Sequence, residues 1–195
     1  RIPLYLKLLD FFDRNFNYRQ LVKGIIKDSK TDEERIMKIF EWTCENIRKP
    51  PKDMLIMDDH VWYIIVRGYG EADQSSDVFT VLCNYAGIKA FYALIYTRDK
   101  KSIIPLSFVK IRDRWAVFDP YHGVYFKDKS GNIADIEALK NNNWVIEARL
   151  EKPDLDYSLY FENLPLVIEA GLTRASMQSP LNRLLFEVKK LIQRH

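Results

Sequence analysis

The alternation of apolar and polar positions divides the chain into helical and extended stretches. Ile2 to about Phe12 and Tyr18 to about Lys27 both carry helical apolar spacing, with Asp13 to Asn17 as a polar break, so the pattern predicts an opening helical hairpin. Thr31-Asp32-Glu33-Glu34 fits a capping box, in which the threonine oxygen takes the amide three residues on and Glu34 reaches back. Ile36, Ile39, Phe40, Thr43 and Ile47 then follow one helical face until Pro50-Pro51 stops it. Residues 52–71 show no sustained period and read as a long loop with a brief helical or extended stretch near His60 to Val66. From Asp73 to Ala86 the positions Phe79, Leu82, Cys83 and Ala86 are again helical, and Gly87 is a natural stop.

Extended segments follow. Ile88 to Thr97, Leu106 to Arg112 and Arg114 to Asp119 are rich in β-branched and aromatic residues and separated by polar turns, the pattern of an antiparallel meander. A polar turn at Lys127 to Asn132 leads to a short helical piece near Ile133 to Lys140 and one more strand at Trp144 to Leu150. After Pro153 the character changes: Ser179-Pro180 is a helix start, and Leu181, Leu184, Leu185, Val188, Leu191 and Ile192 form an apolar stripe flanked by basic residues. The expected fold is α+β, a helical layer on an antiparallel sheet of three to five strands. Its expected parts are an N-terminal helical hairpin over 1–30, a core over 31–150 and a C-terminal helical extension over 151–195.

Composition narrows the function classes. A chain of 195 residues that is 47 % hydrophobic can bury one substantial core, which favours one domain with appended elements. Its 30 basic and 27 acidic residues are interspersed, so it lacks the basic stripe of a phosphate-backbone binder, and nucleic acid is not an expected partner. Cys44 and Cys83 are too few for a disulfide framework and fall on apolar helix faces, where a reduced thiol behaves as a small hydrophobe. His60, His122 and His195 are scattered with no partner at ligand spacing, so neither a metal site nor a cofactor is expected. No apolar run reaches the ~18–20 residues of a membrane span. Membrane association is therefore expected only through a segment ahead of Arg1 or through the C-terminal amphipathic helix; compartment and oligomeric state stay open.

The candidate chemistry lies at residues 68–76, Gly-Tyr-Gly-Glu-Ala-Asp-Gln-Ser-Ser, running into the helix at Asp73. A nucleophile at the first turn of such a helix sits in a positive dipole that favours a thiolate, and it needs a base and an orienting acid from elsewhere. The strands after Lys101 can supply both, with an acid where Phe118-Asp119-Pro120 ends the last of them. Three stretches in this order, about residues 31–125, resemble the transglutaminase-like branch of the papain-type thiol enzymes: Thr31 to Arg48 with Trp42 and Asn46-Ile47, Gly68 to Ala90 closing with Gly87-Ile88-Lys89-Ala90, and Arg112-Asp113-Arg114-Trp115 through Asp119-Pro120.

The resemblance implies a papain-like, transglutaminase-core fold. It puts the nucleophilic cysteine on Ala72, followed by Asp73 and Gln74, and the orienting acid on Asp119. It puts the histidine about eleven residues before Trp115, on Ile104, with Ile103 and Pro105 as neighbours in register. None of these three accepts a proton, and Ala72 is no nucleophile. The leading expectation is a catalytically inactive domain whose former cleft binds a protein, peptide, glycan or cell-surface polymer. The expected lining is Trp62, Tyr69, Gly70, Asp73, Gln74, Trp115 and His122, with further aromatic residues at Tyr63, Tyr92, Tyr96, Tyr121 and Tyr125. Two alternatives stand beside it. One is an active thiol hydrolase or acyltransferase in which Ala72 replaces the cysteine and His122 or His60 serves as base. The other is an assembly domain acting through its C-terminal helix. Ser75 and Ser76, one turn into the helix, lack an adjacent base and read as helix-start residues.

Overall fold

The structure, a computed structural model, describes residues 3–55, 60–151, 153–165 and Leu185. Four helices come first: α1 (Leu4–Ile25), α2 (Asp32–Asn46), α3 (Val61–Arg67) and α4 (Ala72–Tyr85). Strands β1 (Ala90–Tyr96), β2 (Ile103–Ile111), β3 (Arg114–Asp119) and β4 (Val124–Lys127) follow, then α5 (Ile136–Lys140), β5 (Val145–Ala148) and α6 (Ser158–Phe161). The strands form one antiparallel sheet in the order β1-β2-β3-β4-β5.

The opening hairpin is not formed: residues 4–25 are one helix. The polar run at 13–17 does not break it, because its side chains pair within the helix and outward. Arg14 pairs with Asp10, Asn17 donates to Asp13 Oδ2 at 2.9 Å, and Asn15 accepts from the Tyr85 hydroxyl at 3.2 Å. α2 starts as its capping signal requires, with Thr31 Oγ1 accepting from Glu34 N at 3.1 Å. The Glu34 carboxyl reaches one residue further back than expected, to Lys30 N at 2.6 Å, and that bond holds its pKa below the usual carboxylate value. The expected long loop contains α3, and β4 was not foreseen in the aromatic run after His122. The C-terminal helix expected from Ser179 lies outside the described residues, apart from Leu185.

Alternation along the strands sends side chains to two cores. On one face, Ala90, Val109, Ala116, Phe118 and Tyr125 pack against Phe40 of α2, Phe79 and Leu82 of α4, and Tyr18 of α1. On the other, Ile104, Leu106, Phe108, Val117, Val124 and Phe126 pack against Leu139, Tyr157, Phe161 and Leu164. Residues 155–164 are thus part of the domain's second core. Phe118 joins the helical layer to the sheet, with ring centroids 5.3 Å from both Phe40 and Phe79.

Phe118→Ala should cost about 3–5 kcal/mol, read as a lower urea midpoint at unchanged slope. Burial raises the Tyr85 phenol to about 12, against weaker lowering by Arg19 and Arg14. The folded state thus holds that proton longer than the unfolded chain does, where the ordinary value is 10.0. Its contribution to stability is complete below pH ~10 and declines toward pH ~12, so urea midpoints taken across this window should fall less steeply in Tyr85→Phe.

Candidate functional site

The approach to α4 is fixed by two glycines. Gly68 ends α3 in the left-handed region, φ +73°, where a side chain would strain the backbone. Residues 68–70 then run beside Arg48, whose N–H donates to Gly68 O at 2.9 Å and whose carbonyl accepts from Gly70 N at 3.0 Å. Gly70 is packed so closely that a Cβ would lie 3.1–3.2 Å from Ile47, Ile64 and Gln74. Gln74 Oε1 accepts from Glu71 N at 3.1 Å and from Arg67 Nη2 at 3.3 Å, pinning the helix start. Ala72 is the first residue of α4 and half-buried; Asp73 is exposed, a carboxylate favoured by the helix dipole. Ser75 and Ser76, 1 % and 0 % exposed, turn inward, and their hydroxyls have no hydrogen-bond partner among the described residues.

Asp119 ends β3 and is 1 % exposed. Its Oδ2 accepts from the Tyr157 hydroxyl at 2.7 Å and lies 2.7 Å from His122 Nδ1, while its Oδ1 accepts from His122 N at 3.1 Å. An imidazole that donates Nδ1–H to a carboxyl keeps Nε2 as its acceptor. Burial and the nearby Asp119 drive the Tyr157 phenol far above its ordinary value, so it serves as a fixed donor. The β2–β3 register pairs Ser107 with Phe118, so one further step sets Leu106, fully buried, opposite Asp119. Ile104 lies two residues farther along β2, pairs with Ile95 and is buried in the second core. The turn after β3 touches the start of α4: Tyr121 donates to Glu71 Oε2 at 3.4 Å, and Lys49 Nζ lies 4.8 Å from the Tyr121 ring centre. Cys44 Sγ contacts Pro120 O at 3.5 Å in the same region. Burial, reinforced by Asp119, pushes its thiol up to about 12, which leaves it protonated and a poor nucleophile at neutral pH.

The structure does not gather all of the expected lining. Tyr69, Gly70, Asp73 and Gln74 cluster at the start of α4, and the Tyr121–Glu71 bond brings the turn bearing His122 to them. Trp62 instead packs edge-on against Tyr18 of α1, ring centroids 5.1 Å apart. Tyr125 belongs to the core with Phe40 and Phe118. Trp115 packs with the second core, away from the helical layer, against Phe91 at 5.2 Å and beside a separate cleft of about 450 Å³ lined also by Asp113, Ile136 and Pro165. His60 caps α3, its Nδ1 accepting from Trp62 N at 3.3 Å. Among the described residues no cluster of three or more His, Cys, Asp or Glu is placed to hold a metal ion.

Sequence reasoning missed Tyr157. Tyr157 stands 38 residues after Asp119 in an aromatic run with no motif, and only the fold brings its hydroxyl to the carboxyl. Tyr157→Phe should cost about 1–3 kcal/mol, because the ring still fills its place while a buried acceptor loses a donor. Urea denaturation measures it, and His122→Ala, at a side chain 22 % exposed, should cost less.

Solved structures similar to this chain include the following two. One, a candidate cysteine protease from Cytophaga hutchinsonii, is 14% identical, with a TM-score of 0.49, over 69% of this chain and 47% of that one. The other, a candidate protease from Parabacteroides distasonis, is also 14% identical, with a TM-score of 0.45, over 53% of this chain and 23% of that one. The chain thus spans less than half the length of either. No curated protein sequence matches it. The profile of the transglutaminase-like superfamily matches residues 19–146, a stretch that runs from α1 to β5 and takes in Ala72 and Asp119, and the chain belongs to that superfamily.

Proposed function

We propose that this transglutaminase-like domain is catalytically silent and uses the surface at the start of α4, where the resemblance puts the former cleft, for binding a protein, peptide or cell-surface polymer. One observation carries the reading: the helix start holds Ala72, and the β2 position facing Asp119 holds Leu106, so neither a nucleophile nor a strand-borne base is present at that pair. Asp119 itself is bonded to Tyr157 and to a histidine in its own turn. A scaffold stripped of nucleophile and base retains at most what binding and backbone donors provide.

A second reading has its own support. The 2.7 Å contact of His122 Nδ1 with Asp119 is the carboxyl–imidazole pairing of a general base, and it would serve an enzyme in which Ala72 stands where a cysteine belongs.

The Ala72→Cys variant separates the two. We expect its new thiol to alkylate with an apparent pKa only modestly below ~8.5, lowered by the helix dipole and unchanged in His122→Ala, above a slow background from the buried Cys44 and Cys83. A thiol pKa well below that, restored to ordinary by His122→Ala, would favour the enzyme. For the cleft, Tyr69→Ala should weaken capture of a pooled peptide or glycan array by about tenfold with little change in melting temperature, as expected where one aromatic anchor is removed. Trp62 is a poorer probe, since it also holds α1.

A further inference from the structure

The cleft beside Trp115 has walls that one carboxylate sets in place. Asp135 forms an antiparallel bridge with Ala116 of β3, and its side chain serves two partners. Its Oδ1 accepts from Ala138 N at 2.8 Å, which starts α5, and its Oδ2 accepts from Arg114 Nη1 at 3.3 Å, which ties α5 to β3. Trp115 and Ile136 both pack on the second core, and with Pro165 they give the cleft, about 450 Å³, its apolar walls. A concavity of that size is in the range of ligand sites.

The charges around these walls do not cancel. Arg114 is engaged with Asp135, which leaves Asp113, Glu137 and Lys140 of the lining, all exposed and without an ion pair among the described residues. Two carboxylates stand against one ammonium. The indole is also unengaged: Trp115 has a ring contact with Phe91, but among the described residues its N–H makes no hydrogen bond and no cation lies over its ring. The chain does set cations over rings elsewhere, Lys49 over Tyr121 and Lys127 over Tyr125. Tryptophan is the best aromatic partner for a cation, and here its place is open beside two free carboxylates. That combination is complementary to a cation on an apolar stem, whose methylenes cover the walls while the head meets the acids. An anionic ligand would meet like charge, and a purely apolar one would strip water from the charged rim without replacing it.

We infer that this cleft binds an arginine or lysine side chain of a peptide, with the stem against Trp115, Ile136 and Pro165 and the charged head directed to the carboxylates of Asp113 and Glu137. Arginine fits better than lysine, because its planar guanidinium stacks on an indole and bonds a carboxylate at two points. Lys140 works against the ligand. The cleft is separate from the surface beside Ala72, since Phe118, which meets α4, has the opposite parity to Trp115 along β3.

The test titrates the nitrogen-15-labelled full chain with capped acetyl-Gly-X-Gly-amide tripeptides in which X is arginine, lysine, citrulline or glutamate. It follows the Trp115 indole cross-peak by nuclear magnetic resonance, assigned by its loss in Trp115→Phe. The arginine peptide should give a saturable shift in the millimolar range, weakened by salt. Citrulline, which keeps the shape and loses the charge, should bind about tenfold or more weakly. Asp113→Asn combined with Glu137→Gln, both at exposed positions, should keep the melting temperature within ~4 °C while weakening arginine binding about tenfold. Lys140→Gln should tighten it about twofold, and Tyr69→Ala should leave it unchanged. No shift with arginine or lysine, an equal one with citrulline or glutamate, or unchanged binding in the double variant overturns the inference. So does spermidine binding about tenfold more tightly than the arginine peptide, which would give the cleft to a free polyamine. Movement of the cross-peak on dilution of the chain alone overturns it as well, giving the cleft to a second copy. Arginine binding lost in Tyr69→Ala and kept in the double variant overturns it while leaving the reading of the α4 surface standing.

Discussion

The arrangement around the start of α4 depends on a carboxyl group that has no access to water. Asp119 is 1 % exposed, and a buried acceptor left without donors costs about 1–3 kcal/mol or more. Three donors meet it, two from His122 and one from Tyr157. The first two shape the turn after β3, because a residue bonded to Asp119 through both its backbone and its ring has little freedom left. The third ties that turn to the segment carrying α6, on the far side of the sheet. The same turn reaches the helical layer through Tyr121 and Glu71, and through Cys44 and Pro120. One buried group therefore fixes the relative placement of β3, α2, α4 and α6, and with it the surface beside Ala72.

How much of this was legible in the sequence varies with the range of the forces involved. α2 and α4 were readable because their signals are local: a threonine cap with three acidic residues behind it, and an apolar period ending at Gly87. The polar run in α1 misled because polarity alone does not break a helix; Asp10, Asp13 and Asn15 find partners that cannot be seen without the fold. Knowing which β2 residue faces Asp119 needed the strand register, which sets Leu106 there and Ile104 two residues farther along. Ile111 pairs directly with Arg114, leaving only Arg112 and Asp113 to turn, with Arg112 at φ +55°. Ile104, where the resemblance puts the histidine, shares a face with Leu106 because strand periodicity is two. Tyr157 carried no local signal at all.

The same strand parity also divides the aromatic residues. Trp115, Val117 and Asp119 alternate with Ala116 and Phe118, so the tryptophan and the acid share the face of the second core while Phe118 meets α4. Trp115 and Ala72 therefore belong to different surfaces, although both lie in segments that resemble one active-site pattern. A reading from motif order joins them; the pleat separates them.

The asparagine side chains at the two ends of β1 bear on how the sheet is terminated. An unpaired edge beside exposed apolar side chains invites pairing with other chains, and proteins commonly blunt such edges with charge, proline or covering loops. Here the blunting is partial. Asn84 satisfies both backbone groups of Ala90, and Asn163 takes the carbonyl of Tyr96, so the ends of the strand are occupied by side chains that cannot extend a sheet. A partner strand that tried to run the length of β1 would have to displace them and forfeit those bonds. The sheet is thus terminated at the ends of β1 by bonds the fold itself makes, and full-length pairing along that edge carries their loss as a cost.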